Sequence, residues 1–103
     1  MRMLMKVSLP VEPFNTAVRD GSAAAKMGRI LAEIKPEAAY FIEDGGKRTG
    51  ILIVDMADAS RIPSLAEPWF LTFNAGVEIK PVMLPEDLQA SGLESIGARY
   101  RSG

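Results

Sequence analysis

Met3-Leu4-Met5-Lys6-Val7-Ser8-Leu9 places an apolar side chain at every odd position. Met3, Met5, Val7 and Leu9 fall on one side of an extended chain and Leu4, Lys6 and Ser8 on the other, the period-two signature of a strand. Pro10 and Pro13 end that strand and open a helix, because proline is tolerated in a first turn, where its missing N–H would have had no partner. Over residues 14–34, apolar and small residues recur at 14, 17, 18, 21, 24, 25, 28, 31 and 34, one stripe at helical spacing that Pro36 stops. Gly21 and Gly28 lie on this stripe two turns apart. They read as close packing of helix on sheet or as room for a ligand, since glycine otherwise costs ~1 kcal/mol against alanine in a helix interior.

Two strand-like runs follow, residues 38–43 and 50–55, joined through Asp44-Gly45-Gly46-Lys47. Asp-Gly-Gly between apolar runs signals a hairpin, because glycine supplies positive φ without steric cost. The phosphate-loop spacing G-x-x-x-x-G-K-[ST] is absent there. Asp58 is placed to cap a helix over residues 59–73 that Pro63 and Pro68 should break or kink. Asn74-Ala75-Gly76 ends it, and residues 77–82 alternate as a last strand, with Pro81 favouring a sheet edge. Residues 85–100 read as a pair of short helical turns anchored by Leu88, Leu93 and Ile96, with Leu84 a poor cap.

The order β-α-β-β-α-β with right-handed crossovers predicts a ferredoxin-like α+β fold: an antiparallel sheet of order 4-1-3-2, both main helices on one face, and a short C-terminal helical tail. The third strand is apolar on both sides, Ile51 and Ile53 facing one way and Leu52 and Val54 the other. Its second face therefore needs a cover. The tail is expected to supply part of it, and a second copy related by two-fold symmetry the rest.

Composition narrows the function classes. The 103 residues form one domain, with a core over 3–83 and a tail over 84–103, and 48% of them are hydrophobic. Twelve basic against thirteen acidic residues remove the main argument for nucleic-acid binding. The apolar run before Lys6 is too short for a signal peptide and no segment approaches a membrane span, so a cytoplasmic protein is expected. There is neither histidine nor cysteine. This excludes the imidazole base, the thiolate nucleophile and the usual zinc and iron–sulfur ligands, and no metal or cofactor is expected. Any chemistry rests on carboxylates, Lys, Arg, Tyr or Ser.

The stretch AEPWFLTFNAGVEIKPVM holds the densest aromatic cluster. Trp69 and Phe73, four apart, share a helix face; they either plug the core or wall a small-molecule cavity. Polar groups able to converge on such a cavity are Asn15, Arg19, Tyr40 and Arg48. Arg48 is the strongest, because a guanidinium can grip a carboxylate through two hydrogen bonds. Tyr40 could serve an enolate or simply pack. Glu43 and Asp44 flank a turn, and Glu86-Asp87 suit a helix start, so neither pair reads as a catalytic acid couple.

The run GKRTGILIVDM…DAS…AEPWFL…VEIKPVM…PEDL, within residues 3–90, resembles the dimeric α/β-barrel superfamily and, inside it, an uncharacterised bacterial domain family. That resemblance implies ferredoxin-like domains pairing sheet to sheet as a homodimer. Its members include cofactor-free monooxygenases, muconolactone-isomerase-like enzymes, haem-handling proteins and members of no known activity. Many of these enzymes use a histidine that this chain lacks. Two readings follow: a non-catalytic module binding a small hydrophobic or anionic ligand or a partner protein, or a cofactor-free monooxygenase- or isomerase-like enzyme. A filled core around Trp69 favours the first, and an enclosed cavity with Arg48 or Tyr40 pointing inward favours the second.

Overall fold

In the computed structural model, which describes residues 1–102, the sheet is built outward from the first strand. Strand β1 (Arg2–Leu9) alternates strictly between half-buried and buried side chains, as its period-two pattern requires. Strand β2 (Ala38–Asp44) turns into β3 (Lys47–Asp55) through Gly45-Gly46, whose φ values of 60° and 79° favour glycine. Strand β1 pairs antiparallel with β3 on one side, Met5 opposite Leu52, and with β4 (Gly76–Pro81) on the other, Met5 opposite Ile79. The sheet order β2-β3-β1-β4 is 4-1-3-2 counted from the other edge.

The stripe over residues 14–34 does not form one helix. It is divided into α1 (Val11–Asp20) and α2 (Ala23–Ile34). Gly21, at φ 83°, closes α1 with the two bonds of a Schellman motif: Ser22 N–H donates to the Ala17 carbonyl at 2.9 Å and Gly21 N–H to the Val18 carbonyl at 3.3 Å. The Asp20 carboxylate also accepts the Ser22 N–H at 2.8 Å. This break resets the helical phase. In α2, Ile30 is buried, with Met27, Leu31 and Ile34 packed beside it, whereas Ala25 and Gly28 face solvent. Neither glycine makes the close helix-on-sheet contact expected of it, because Gly21 is a left-handed cap and the space around Gly28 is open.

Asp58 caps the next segment as its position suggests, accepting the Ser60 N–H at 2.9 Å and the Ser60 hydroxyl. A single 3-10 turn, Ala59–Arg61, leads into α3 (Ile62–Phe73), with Pro63 in the first turn and Pro68 inside. Leu65, Trp69 and Phe73 of α3 join Met3, Met5, Val7, Leu9, Leu52 and Val54 in one buried cluster. Trp69 is 0% exposed, so the aromatic cluster plugs the core. Its indole N–H has no acceptor among the described residues, which offsets part of what burial of the ring contributes.

Beyond Pro81 come α4 (Pro85–Ala90) and α5 (Leu93–Arg99). The Asp87 carboxylate accepts the Leu84 N–H at 2.8 Å, half of a capping box; the Leu84 side chain has no oxygen to return the bond. The two helices pack on each other and make no substantial contact with the body. The molecule is accordingly long, 63 × 29 × 19 Å, with a radius of gyration of 17.8 Å. A compact domain of this size would have ~13 Å. Leu88, Leu93 and Ile96 are thus not anchors: they are 45%, 56% and 38% exposed. Nor does the tail cover the second face of the sheet. Among the described residues no helix is long and apolar enough to cross a membrane.

Replacing Trp69 by alanine should cost ~3–5 kcal/mol, as large-to-small changes at filled core sites do. Trp69→Phe should cost clearly less, because it removes the unpaired N–H along with part of the ring. Thermal melts of both variants check this. An alanine variant melting near the parent temperature would mean that the indole is not a core element.

Candidate functional site

On the helix side of the sheet, the β2 edge is left uncovered. Phe41 faces that side, opposite Gly50 of β3, and remains 52% exposed. A Cβ at Gly50 would meet the Leu52 side chain at 3.2 Å and the Phe41 ring at 3.4 Å, so glycine lets the ring lie down on β3. Between this ring and α2 runs an open groove of about 450 Å³, lined by Phe14, Ala23, Ala24, Met27 and Phe41, with Arg48 and, in register beside it on β2, Glu43 also in the lining. The phase change at Gly21 is what turns Met27 toward it.

Arg48 lies two residues beyond the glycine turn, on the same side of β3 as Gly50 and Leu52. Its guanidinium stacks 4.6 Å from the Phe14 ring centre and donates to Asn15 Oδ1 at 2.8 Å. The Phe14 ring in turn leans on Phe73 of the core, 5.1 Å between centres and tilted by 40°. Asn15 takes one of the five guanidinium N–H groups, leaving donors for a ligand. On the far side of Arg48, a shelf of about 310 Å³ is lined by Val11, Asn15, Gly46 and Lys47. The arrangement joins an apolar trough to a charged rim, in which Arg48 and Lys47 stand with Glu43 beside them.

Glu12 stands close by. It accepts the Thr16 hydroxyl at 2.6 Å and the Thr16 N–H at 3.2 Å, and Arg19 approaches to 3.9 Å. The Thr16 hydroxyl, first of all, holds the Glu12 carboxyl below its ordinary pKa, helped by the Thr16 N–H and the charges of Arg19 and Arg48. Asp20 and Asp58 are lowered in the same way by Ser22 and Ser60, while Lys6 is raised by its hydrogen bond to Asp44. Each of these shifts stabilises the charged form and moves the group away from neutrality, the opposite of what a general acid or base needs. Among the described residues no group of three or more acids, histidines or cysteines could hold a metal ion.

The six residues singled out from sequence are thus separated. Asn15 and Arg48 meet at the groove, Arg19 lies just outside it through Glu12, and Phe73 supports Phe14 from behind. Trp69 is sealed in the core. Tyr40 projects from the opposite side of the sheet, in register with Ile51, and is 62% exposed. Sequence reasoning missed Met27, Phe41 and Lys47. Met27 could have been found by treating Asp20-Gly21-Ser22 as a helix stop, which moves the inward stripe of the following helix onto it. No known protein-family model matches the chain, and no curated protein is similar to it in sequence.

The Glu12 carboxyl should titrate below the ordinary glutamate range, and Thr16→Val should bring it back up; carbon-detected NMR titration reads both. The sign for stability follows. A depressed folded-state pKa contributes stability above the unfolded pKa, and that contribution is lost as the pH falls through the folded value. Thr16→Val should therefore flatten this part of the acid dependence. An unchanged Glu12 titration in the variant would show that the hydroxyl is not the cause.

Proposed function

We propose that the protein is a non-catalytic, cytoplasmic binding module for a small hydrophobic anion, working as a homodimer of the dimeric α/β-barrel type. One observation carries the ligand reading: Arg48, already held by Phe14 and Asn15, lines an apolar groove. Holding the guanidinium in place before the ligand arrives reduces the ordering cost of binding, and its free donors suit a carboxylate or similar oxyanion. The groove volume lies within the range of ligand sites, ~300–1,000 Å³. What favours binding over monooxygenase- or isomerase-like catalysis is the packed Trp69, together with the direction of the shifts at Glu12, Asp20, Asp58 and Lys6, each away from neutrality. The dimer is supported by the uncovered side of the sheet, where Leu4, Ile51 and Ile53 are only half-buried and Tyr40 and Ile42 are exposed.

Calorimetric titration with decanoate and with decanol tests the ligand reading. Decanoate should bind more tightly than decanol, and Arg48→Ala should weaken decanoate by roughly tenfold or more, the scale of a hydrogen bond to a charged group. Equal binding of acid and alcohol, or an Arg48→Ala variant with full decanoate affinity, would remove the anion site.

A further inference from the structure

The molecule carries two apolar surfaces that its own chain leaves without a partner. The first is the side of the sheet away from the helices. Cross-strand rows place Leu4, Ile53 and Ala38 side by side, then Ile51 and Tyr40. Ion pairs bracket this strip. Arg2 meets Glu37 at 3.0 Å near one end, and Lys6 reaches Asp44 at 2.6 Å near the other. By register, the Lys6–Asp44 pair crosses β3 over Thr49, which is only 2% exposed although no helix lies on that side. The strip is thus an apolar centre framed by charges already satisfied within the chain, the anatomy of a docking surface.

The second surface is the C-terminal arm. Leu84 and Leu88 are four apart at α4, and Leu93, Ile96 and Tyr100 follow the i, i+3, i+7 spacing along α5. All five are between 38% and 74% exposed. Helices of six and seven residues do not persist in water on their own, since isolated helices shorter than ~12–15 residues are marginal. The arm therefore needs a surface to lie on. Its root is fixed: the Val82 N–H donates to the Arg2 carbonyl at 3.3 Å, continuing the β4 edge, and the arm runs outward from there. To reach the open face of its own sheet it would have to reverse at Met83 and Leu84.

We propose that the arm, residues 83–102, is exchanged between two copies of the chain and lies across the open sheet face of the partner. The inference rests on the homodimer reading above and adds the element that completes it. A two-fold axis makes the exchange reciprocal, so two arms and two sheet faces close on each other. The strip offers five apolar side chains, Leu4, Ala38, Tyr40, Ile51 and Ile53, too few for a standard interface, whereas the arm adds twenty residues and brings the total into the ~20–30 residues a side that such an interface uses.

The chain has no cysteine, so introduced thiols report position without background. Tyr40→Cys and Leu88→Cys chains, mixed and oxidised, should yield the mixed disulfide-linked pair. Light scattering should give twice 11.2 kDa for the parent chain. Leu88→Asp/Ile96→Asp, in helices that make no substantial contact with the body, should weaken the dimer by roughly thirtyfold or more, the scale of hot-spot truncation. A dimer that survives this double substitution unweakened, with no mixed disulfide, overturns the exchange and leaves a sheet-to-sheet dimer standing. A parent chain that is monomeric overturns both. A Tyr40→Cys/Leu88→Cys chain that closes only within itself overturns the exchange by placing the arm on its own sheet.

Discussion

Met5 and Val7, wholly excluded from water in the middle of β1, fix the arrangement of the body. A strand hydrogen-bonded along both edges can bury a row of side chains only if something large covers its face. Trp69 and Phe73 do so from α3. Each fully buried apolar side chain is worth ~1.5–3 kcal/mol, so this contact outweighs any surface ion pair in the molecule. The influence runs outward. Phe73 sets the tilt of Phe14, Phe14 carries the Arg48 guanidinium, and Arg48 lines the groove. The charge at the groove is therefore positioned by the core rather than by a loop.

The sheet separates two kinds of surface. On the helix side, the face of β1 is filled, whereas the β2 edge is left open and Phe41 stands half-exposed. On the other side, no element of the chain packs. Long polar side chains do the covering instead: Lys6 lies over Thr49 to reach Asp44, and this shields a threonine without a helix. One chain thus presents a concave, charge-rimmed trough on one side and a flat, ion-framed strip on the other.

Much of the body was legible because its signals are local. Alternation in residues 3–9 fixes which side of β1 is buried, Gly45-Gly46 specifies a two-residue turn, and Asp58 caps the segment that follows. The misreadings share a cause in non-local phase. A stripe at helical spacing runs unbroken through Gly21 in the sequence, but the Schellman closure there shifts the inward face of the next helix, so Met27 and Ile30 turn in beside Leu31 and Ile34 while Gly28 turns out. Arg48 and Tyr40 are both polar strand residues, yet β2–β3 register puts them on opposite sides of the sheet, which no reading of either strand alone decides. The tail was expected to lie on the sheet because the second apolar face of β3 needs a cover, and composition does not say what provides it. Of the candidate site, Asn15 and Arg48 could be read; the aromatic and methionine lining could not, because it depends on where a helix breaks.

The distribution of chromophores has a practical side. The chain has one tryptophan and two tyrosines. The indole is sealed at the centre of the core, while Tyr40 and Tyr100 are 62% and 74% exposed, one on the open sheet face and the other at the end of the arm. Excited at the red edge, the indole emits from an apolar, quencher-protected environment and reports only whether the body is folded. The phenols stand on the two surfaces proposed to meet between copies, so under that proposal their absorbance and anisotropy would follow association while the indole follows folding, with no label attached.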